Sequence, residues 1–200
     1  MFNRILTALF LIVMLVAILY VYHNSNGTFH IAPLTSSVAA ANANALPLAD
    51  SVTGKPTISA TFINRVLAYY HSPARGLGAT IYALGVQYGI DPAYALAFFM
   101  HESAFGTQGV AKVTLSPGNL RCAPTFRCIG DYRAYASWTQ GFQGWYQLIR
   151  NLYIEQWHKT TLQAIIPTYA PAGDGNNPAT YITAVEQAVA DWQAGKVEVA

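Results

Sequence analysis

The stretch of sequence that decides the fold is residues 91–106, which read DPAYALAFFMHESAFG. Its start is typical of a helix, because the Asp91 side chain can accept a backbone N–H and Pro92 suits the first helical position. The residues that follow are almost all apolar, which is the composition of a helix buried on every side. Gly106 is a typical residue for a helix end. We therefore expect a buried helix from Ala93 to Phe105.

Glu102 lies near the end of this predicted helix. A carboxylate there would sit where the protein interior meets a cleft. Burial raises the pKa of a carboxyl group because it disfavours the charged form. A glutamic acid that stays protonated near neutral pH can donate a proton to a glycosidic oxygen. The pattern alone leaves two interpretations open: Glu102 is a catalytic acid, or it is a solvent-exposed residue of the last helical turn.

Helical signals recur through the rest of residues 57–200, each with a capping residue at its start. The predicted helices begin at Ser59; at Ser72 and Pro73, ending near Gly89; at Ser137 or Thr139, running through Trp145 to Ile154; at Thr161, as a short turn to Ile166; and at Asn177 and Pro178, ending at about Trp192. Residues 109–131 have no helical periodicity and indicate a loop or small hairpin. The sequence therefore predicts a mostly α domain.

An apolar run at residues 5–22 is long enough to cross a bilayer as a helix. Arg4 precedes it and no Lys or Arg follows until Lys55, so residues 1–4 are expected to be a cytoplasmic stub. The run is therefore predicted to be a single-pass anchor. A cleaved signal peptide, with candidate cleavage sites in residues 39–45, is the alternative.

The remaining boundaries follow from composition. Residues 23–56 are rich in Ala, Asn, Ser and Thr and nearly free of charge, which predicts a flexible linker. Residues 57–200 form the predicted domain, which would lie outside the cell membrane, or be secreted if the N-terminal segment is cleaved.

Charge and cysteine content exclude several function classes. The formal net charge is +2, and only 10% of the residues are charged, with no basic cluster to bind nucleic acid. His71, His101 and His158 do not have the spacing of metal ligands, so we expect neither a metal nor another cofactor. The two cysteines, Cys122 and Cys128, are expected to form a disulfide outside the cytoplasm and to close a short hairpin or loop.

Five segments carry a family resemblance: residues 102–106 (ESAFG), 116–120 (SPGNL), 132–138 (YRAYASW), 169–171 (YAP) and 177–181 (NPATY). The first resembles the Glu-Ser-x-x-Gly signature of lysozyme-like cell-wall hydrolases, in which the Glu is the general acid at the end of a buried helix. The others resemble, in the same order, later segments of the N-acetylglucosaminidases of glycoside hydrolase family 73. The resemblance covers about residues 62–192 and implies a lysozyme-like fold.

The resemblance implies a role for several residues. Glu102 would be the proton donor, Asn119 would belong to the cleft wall, and Tyr135 would lie near the reacting sugar. Trp138 is the tryptophan best suited to stack on a sugar face. The alternatives stay open that Tyr135 is a core residue and that Asn119 is only a turn residue. Tyr169 and Tyr181 are expected to pack rather than to bind.

The chain departs from the family at the hairpin lobe that often brings a second carboxylate to the cleft. Here residues 121–128 are short and contain no acid. Asp131 is the carboxylate nearest to this hairpin, and it either polarises the attacking water or caps a turn beside Arg133. Without a second carboxylate, the N-acetyl group of the substrate could assist the reaction.

The resemblance implies a peptidoglycan hydrolase that cleaves β-1,4 glycosidic bonds, most closely an endo-β-N-acetylglucosaminidase. Two alternatives remain: a lytic transglycosylase of the same superfamily, and a non-catalytic module that binds glycan or acts as a scaffold. The expected partners are peptidoglycan or a related N-acetylated glycan and, through the N-terminal anchor, the membrane.

Overall fold

The computed structural model describes residues 51–199. The predicted stub (1–4), the anchor or signal peptide (5–22) and the linker up to residue 50 lie outside the described residues. In residues 51–199, no helix is both long enough and apolar enough to cross a membrane. This part of the chain is mostly helical, with a single short hairpin, which confirms the predicted fold class at that level.

The helices and strands are α1 (Ala60–Tyr69), α2 (Gly78–Tyr88), α3 (Pro92–Ser103), α4 (Ala111–Thr114), β1 (Cys128–Ile129), β2 (Tyr132–Arg133), α5 (Trp138–Gln147), a π-helix (Leu148–Gln156) that continues α5, α6 (Leu162–Tyr169), a 3-10 turn (Ala172–Asp174) and α7 (Pro178–Gln193). Helix α3 packs against both α2 and α7. Helix α2 also packs against α1 and α5, and α6 packs against α7.

Helix α3 is buried on almost every side, as its apolar sequence predicts. The side chains of Phe98 and Phe99 are fully buried. The Phe98 ring lies 5.2 Å from the ring centroids of Trp145 and Tyr169 and 5.5 Å from that of Tyr181. Burying one such phenylalanine contributes about 1.5–3 kcal/mol to stability. The aromatic contacts thus join α3 to α5, α6 and α7.

Both ends of α3 have a clear local cause. At the start, Oδ1 of Asp91 accepts the N–H of Ala93 at 3.0 Å, as the sequence predicted. At the other end, Ala104 and Phe105 adopt left-handed backbone angles, with φ of 45° and 57°. The helix therefore ends at Ser103, two residues before the predicted end.

The predicted helix start at Ser72 and Pro73 is wrong. The Ser72 hydroxyl accepts the N–H of Ala74 at 3.0 Å and donates to the carbonyl of Phe105 at 2.8 Å. Only a turn follows this serine, and the second bond ties that turn to the end of α3. Helix α2 begins at Gly78, whose N–H donates to Oδ1 of Asn64 at 2.7 Å. The local bond of a cap is thus present at Ser72, but the helix begins only at Gly78.

The other predicted helix starts are confirmed by the capping hydrogen bonds. The capping side chains are those of Ser59, Ser137, Thr161 and Asn177, and each accepts the backbone N–H three residues ahead. The predicted end of α2 is also confirmed, because Gly89 follows it in the left-handed conformation with φ of 63°. These caps are local features, which is why the sequence was sufficient to find them.

The predicted hairpin is present, but its second strand lies just beyond residues 109–131, and this segment also contains one short helix, α4. Strands β1 and β2 pair antiparallel, with Cys128 opposite Arg133. The predicted disulfide is confirmed: Cys122 and Cys128 are bonded, and their Cα atoms are 5.7 Å apart. The disulfide therefore holds the segment before β1 close to the hairpin.

The last residues of the predicted linker belong to the folded domain. Val52 is only 1% exposed, and its N–H donates to the carbonyl of Thr160 at 2.8 Å. Thr53 forms an isolated bridge with Ile90, next to the start of α3. Residues 51–56 are thus part of the domain, and the predicted boundary at Thr57 is too late.

Replacing Asp91 by alanine should destabilise the domain by about 2–4 kcal/mol. The change removes the cap of α3 and the acceptors of two bonds from Thr57, one from its N–H at 3.1 Å and one from its hydroxyl at 2.6 Å. Urea unfolding would measure the loss, with the exposed Asp131→Ala as the control. Equal stability of the two variants would contradict a capping role that includes the tertiary bonds.

Candidate active site

Glu102 occupies the last turn of α3, and its carboxyl group is held by two donors from distant parts of the chain. The Tyr181 hydroxyl donates to Oε1 at 2.8 Å. The Asn119 amide donates to Oε2 at 3.3 Å and, more closely, to the Glu102 carbonyl at 2.6 Å. Both carboxyl oxygens are thereby oriented by the protein.

The segment that carries Asn119 is fixed to the end of α3 through Ser103. The Ser103 hydroxyl donates to the carbonyl of Pro117 at 2.8 Å and accepts the N–H of Gly106 at 2.9 Å. Asn119 itself has a left-handed backbone, with φ of 47°. The serine after Glu102 therefore connects the two segments that carry Glu102 and Asn119.

Gly106 is required at its position for two reasons. Its φ is 84°, and a Cβ atom there would lie 2.3 Å from the ring of Trp138. The Trp138 ring thus packs directly on the turn that follows Glu102. This contact explains the glycine of the Glu-Ser-x-x-Gly segment by backbone conformation and close packing together.

A cleft of about 270 Å³ opens in front of Glu102. Its walls come from the segment and hairpin after α4, from the π-helix, and from the loop around the 3-10 turn; the polar residues that line it include Asn119, Arg121, Arg133, Tyr153, Tyr169 and Asp174. Leu148 and Tyr153 both face the cleft and are five residues apart, one hydrogen-bonded repeat of a π-helix. The π-helix thus brings two side chains to the same wall.

The surroundings of Glu102 favour its protonated form. Burial raises the pKa of the Glu102 carboxyl group, and this effect outweighs the hydrogen bonds from Tyr181 and Asn119 and the charge of Arg121, which all lower it. Burial, together with the nearby Glu102 charge, raises the pKa of Tyr181 and Tyr169 well above the usual value. Both phenols therefore remain O–H donors at neutral pH.

Tyr169 stabilises the backbone beside the acid. Its hydroxyl donates to the carbonyl of Gly118, the residue before Asn119. A Cβ atom at Gly118 would lie 2.5 Å from the Trp145 ring and 2.8 Å from the Tyr169 hydroxyl. The close approach of these two rings explains why a glycine precedes Asn119.

Of the residues proposed from the sequence, the structure brings Glu102 and Asn119 together at the cleft. It does not place the other candidates there. Trp138 packs on Gly106, and the Tyr135 hydroxyl packs against Gly144 of α5, where a Cβ atom would lie 2.2 Å from it. Neither Tyr135 nor Trp138 lines the cleft.

Asp131 is also outside the cleft. It lies, exposed, in the turn between β1 and β2, and its carbonyl accepts the N–H of Cys122 at 2.7 Å. The carboxylate that lines the cleft together with Glu102 is instead Asp174, which forms an ion pair with Arg121 at 3.1 Å. The structure thus replaces Asp131 with Asp174 as the second carboxylate near the site.

Sequence reasoning missed the direct contact between Tyr181 and Glu102. The sequence did place Tyr181 at the start of the last helix, four residues after the cap Asn177, but it gave no sign that this turn faces α3. Asp174 was missed as well, because a Gly-rich turn has no periodicity that indicates its direction.

In residues 51–199, no group of three or more His, Cys, Asp and Glu side chains could hold a metal ion.

Glu102→Gln should become more stable than the wild-type chain as the pH rises. The pKa of Glu102 is higher in the folded than in the unfolded chain. The protonated carboxyl group therefore contributes fully to the stability of the wild-type chain below the unfolded pKa of about 4.3. This contribution is lost as the pH rises through the folded pKa. Urea unfolding at pH values between about 3.5 and 8 would measure the difference. The exposed Glu155→Gln is the control, and a difference that shrinks with rising pH would contradict the raised pKa.

No protein-family model matches the chain, and no curated protein sequence is similar enough to count as a relative.

Proposed function

We propose that this domain is a glycoside hydrolase that acts on peptidoglycan, with Glu102 as its general acid. The observation that carries the proposal is the position of Glu102: a carboxyl group with a raised pKa, at the end of a buried helix, facing a cleft. The preference for β-1,4 bonds and for an endo-β-N-acetylglucosaminidase activity depends on the resemblance of the sequence segments to glycoside hydrolase family 73.

The reaction would begin with proton transfer from Glu102 to the glycosidic oxygen, as the bond from that oxygen to the sugar carbon breaks. Of the two carboxyl oxygens, Oε1 has the shorter bond, to Tyr181, and Oε2 has only the longer one, to Asn119. Oε2 is therefore the better position for the transferable proton. After the transfer, the same two donors stabilise the carboxylate that remains.

The second step needs a nucleophile for the positively charged sugar carbon. In the hydrolase, a water molecule would attack while Asp174 accepts its proton. Asp174 is the candidate for this role because it lines the cleft with Glu102. Assistance by the N-acetyl group of the substrate would be an alternative that needs no second carboxylate.

A lytic transglycosylase is the second candidate function. It is favoured by one observation: among the described residues that line the cleft, the only carboxylate besides Glu102 is already paired with an arginine. In that reaction a hydroxyl group of the sugar itself attacks, and the product has a 1,6-anhydro end. A non-catalytic glycan-binding module is the third reading, and it predicts binding without cleavage.

The proposed location is the outer face of a bacterial membrane, with residues 5–22 as an anchor. The disulfide between Cys122 and Cys128 supports a position outside the cytoplasm, because such bonds persist mainly in oxidising compartments.

Glu102→Gln should reduce the cleavage of purified peptidoglycan by about 100- to 10,000-fold, the usual contribution of a general acid. The amide keeps the shape of the side chain but has no acidic proton to transfer. The full chain in detergent would be assayed by mass analysis of the released fragments, with thermal unfolding as a check of folding. Glu155→Gln, whose side chain is 54% exposed, is the matched control. A folded Glu102→Gln variant with near wild-type turnover would refute the proposal.

Asp174→Ala should lower hydrolysis by about 100-fold if Asp174 activates water. Added azide should then restore cleavage of the glycosidic bond, with a glycosyl azide as the product. A small anion can replace the missing base by attacking the sugar carbon itself, but it does not restore an ion pair with Arg121. Asp131→Ala is the control, because Asp131 is exposed and outside the cleft. If the products have 1,6-anhydro ends and Asp174→Ala forms them at the wild-type rate, the result would favour the transglycosylase.

A further inference from the structure

One edge of the cleft is a rigid hairpin that carries three arginines. We call residues 121–133 the arginine hairpin, after Arg121, Arg127 and Arg133. The disulfide fixes its first half, and the N–H of Arg133 donates to the carbonyl of Leu120 at 2.8 Å. Arg121 and Arg133 line the cleft, whereas Arg127 is exposed and does not.

The guanidinium group of Arg133 is held in one orientation. Its Nε–H donates to the carbonyl of Arg121 at 2.9 Å, and its central carbon lies 4.0 Å from the centroid of the Phe126 ring. Stacking on an aromatic face is an interaction that favours arginine over lysine. A guanidinium has five N–H donors; the backbone bond uses one, and the Tyr135 hydroxyl lies within reach of another. Arg133 is therefore preorganised on the cleft wall.

Arg121 and Arg133 differ in their charge partners. The central guanidinium carbon of Arg121 lies 5.4 Å from the centroid of the Tyr132 ring. Its Nη2 atom forms an ion pair with Oδ2 of Asp174 at 3.1 Å. In residues 51–199, no carboxylate forms an ion pair with Arg133. The other carboxyl group of the cleft, Glu102, is the one whose pKa is raised. The cleft thus presents a positive charge that the protein itself does not neutralise.

We infer that Arg133 is a specificity-determining residue of the cleft and that its planar N–H donors bind a carboxylate of the glycan. The inference rests on the proposed function of the same cleft and names the residue that recognises the acidic group of the substrate. A neutral glycan would leave the preorganised guanidinium without an ionic partner, whereas a carboxylate forms charge-assisted and often bidentate bonds with it.

The carboxylate could belong to the sugar or to an attached peptide, and the test separates these sources. Three glycans serve as probes: peptidoglycan strands freed of peptide, so that the sugar-borne carboxylate is exposed; peptide-bearing strands; and neutral oligomers of N-acetylglucosamine. A stronger effect of Arg133 on the first probe assigns the sugar as the source, and a stronger effect on the second assigns the peptide.

The experiment uses the full chain in detergent and compares Arg133→Gln with Arg127→Gln. Affinity is measured in the Glu102→Gln background, which prevents turnover, and kcat/KM in the wild-type background. Arg133→Gln should weaken binding of at least one acidic glycan by about tenfold or more, the range of a hydrogen bond to a charged group. Its binding of the neutral oligomers should change by less than about twofold. Arg127→Gln should leave the affinity for every probe within about twofold of the parent chain.

Two further outcomes keep this inference separate from the proposed function. Equal weakening on acidic and neutral glycans, or equal effects of Arg133→Gln and Arg127→Gln, would overturn the role of Arg133. Binding selectivity without any cleavage by the wild-type chain would refute the hydrolase and leave the inference standing. Arg133→Lys, which keeps the charge but loses the planar fork, should retain part of the selectivity and serves if Arg133→Gln does not fold.

Discussion

Glu102 lies in the last turn of a helix that is buried on almost every side. Its carboxyl group receives hydrogen bonds from two side chains of the protein. A buried polar group without partners would cost several kcal/mol. The two donors, Tyr181 and Asn119, are 79 and 17 residues away in sequence. Placing them requires α7 and the segment after α4 to pack against the same end of α3. The position of one carboxyl group therefore constrains much of the domain.

Three glycines make this arrangement possible, because they let aromatic side chains pack directly on the backbone. Gly106 admits the Trp138 ring, Gly118 admits Trp145 and Tyr169, and Gly144 admits the Tyr135 hydroxyl. In each case an aromatic side chain lies so close to the glycine that a Cβ atom there would clash with it. Because protein interiors are close-packed, any of these contacts would have to open if the glycine gained a side chain. The aromatic residues proposed as sugar ligands, Tyr135 and Trp138, are used in this packing.

The sequence predicts the features of this domain that have local causes and misses those that depend on tertiary partners. The caps at Asp91 and Asn177 were predicted because each bonds within its own first turn. Ser72 forms the same local bond, to Ala74, but only a turn follows it, and its hydroxyl donates to a carbonyl 33 residues away. Asn119 was found through its motif, whereas Tyr181 required knowledge of how α7 packs on α3. The second carboxylate was misassigned for the same reason, since loop direction is not encoded in periodicity.

The arginine hairpin and the acid are electrostatically coupled across the cleft. The charge of Arg121 lowers the pKa of Glu102, and burial raises it by more. A carboxylate bound by Arg133, on the same hairpin as Arg121, would offset part of the positive charge of the hairpin and exclude water from the cleft. Both effects disfavour the ionised form of Glu102. Binding of an acidic glycan would therefore raise the pKa of Glu102 further, so that this carboxyl group would be protonated when the glycan is bound.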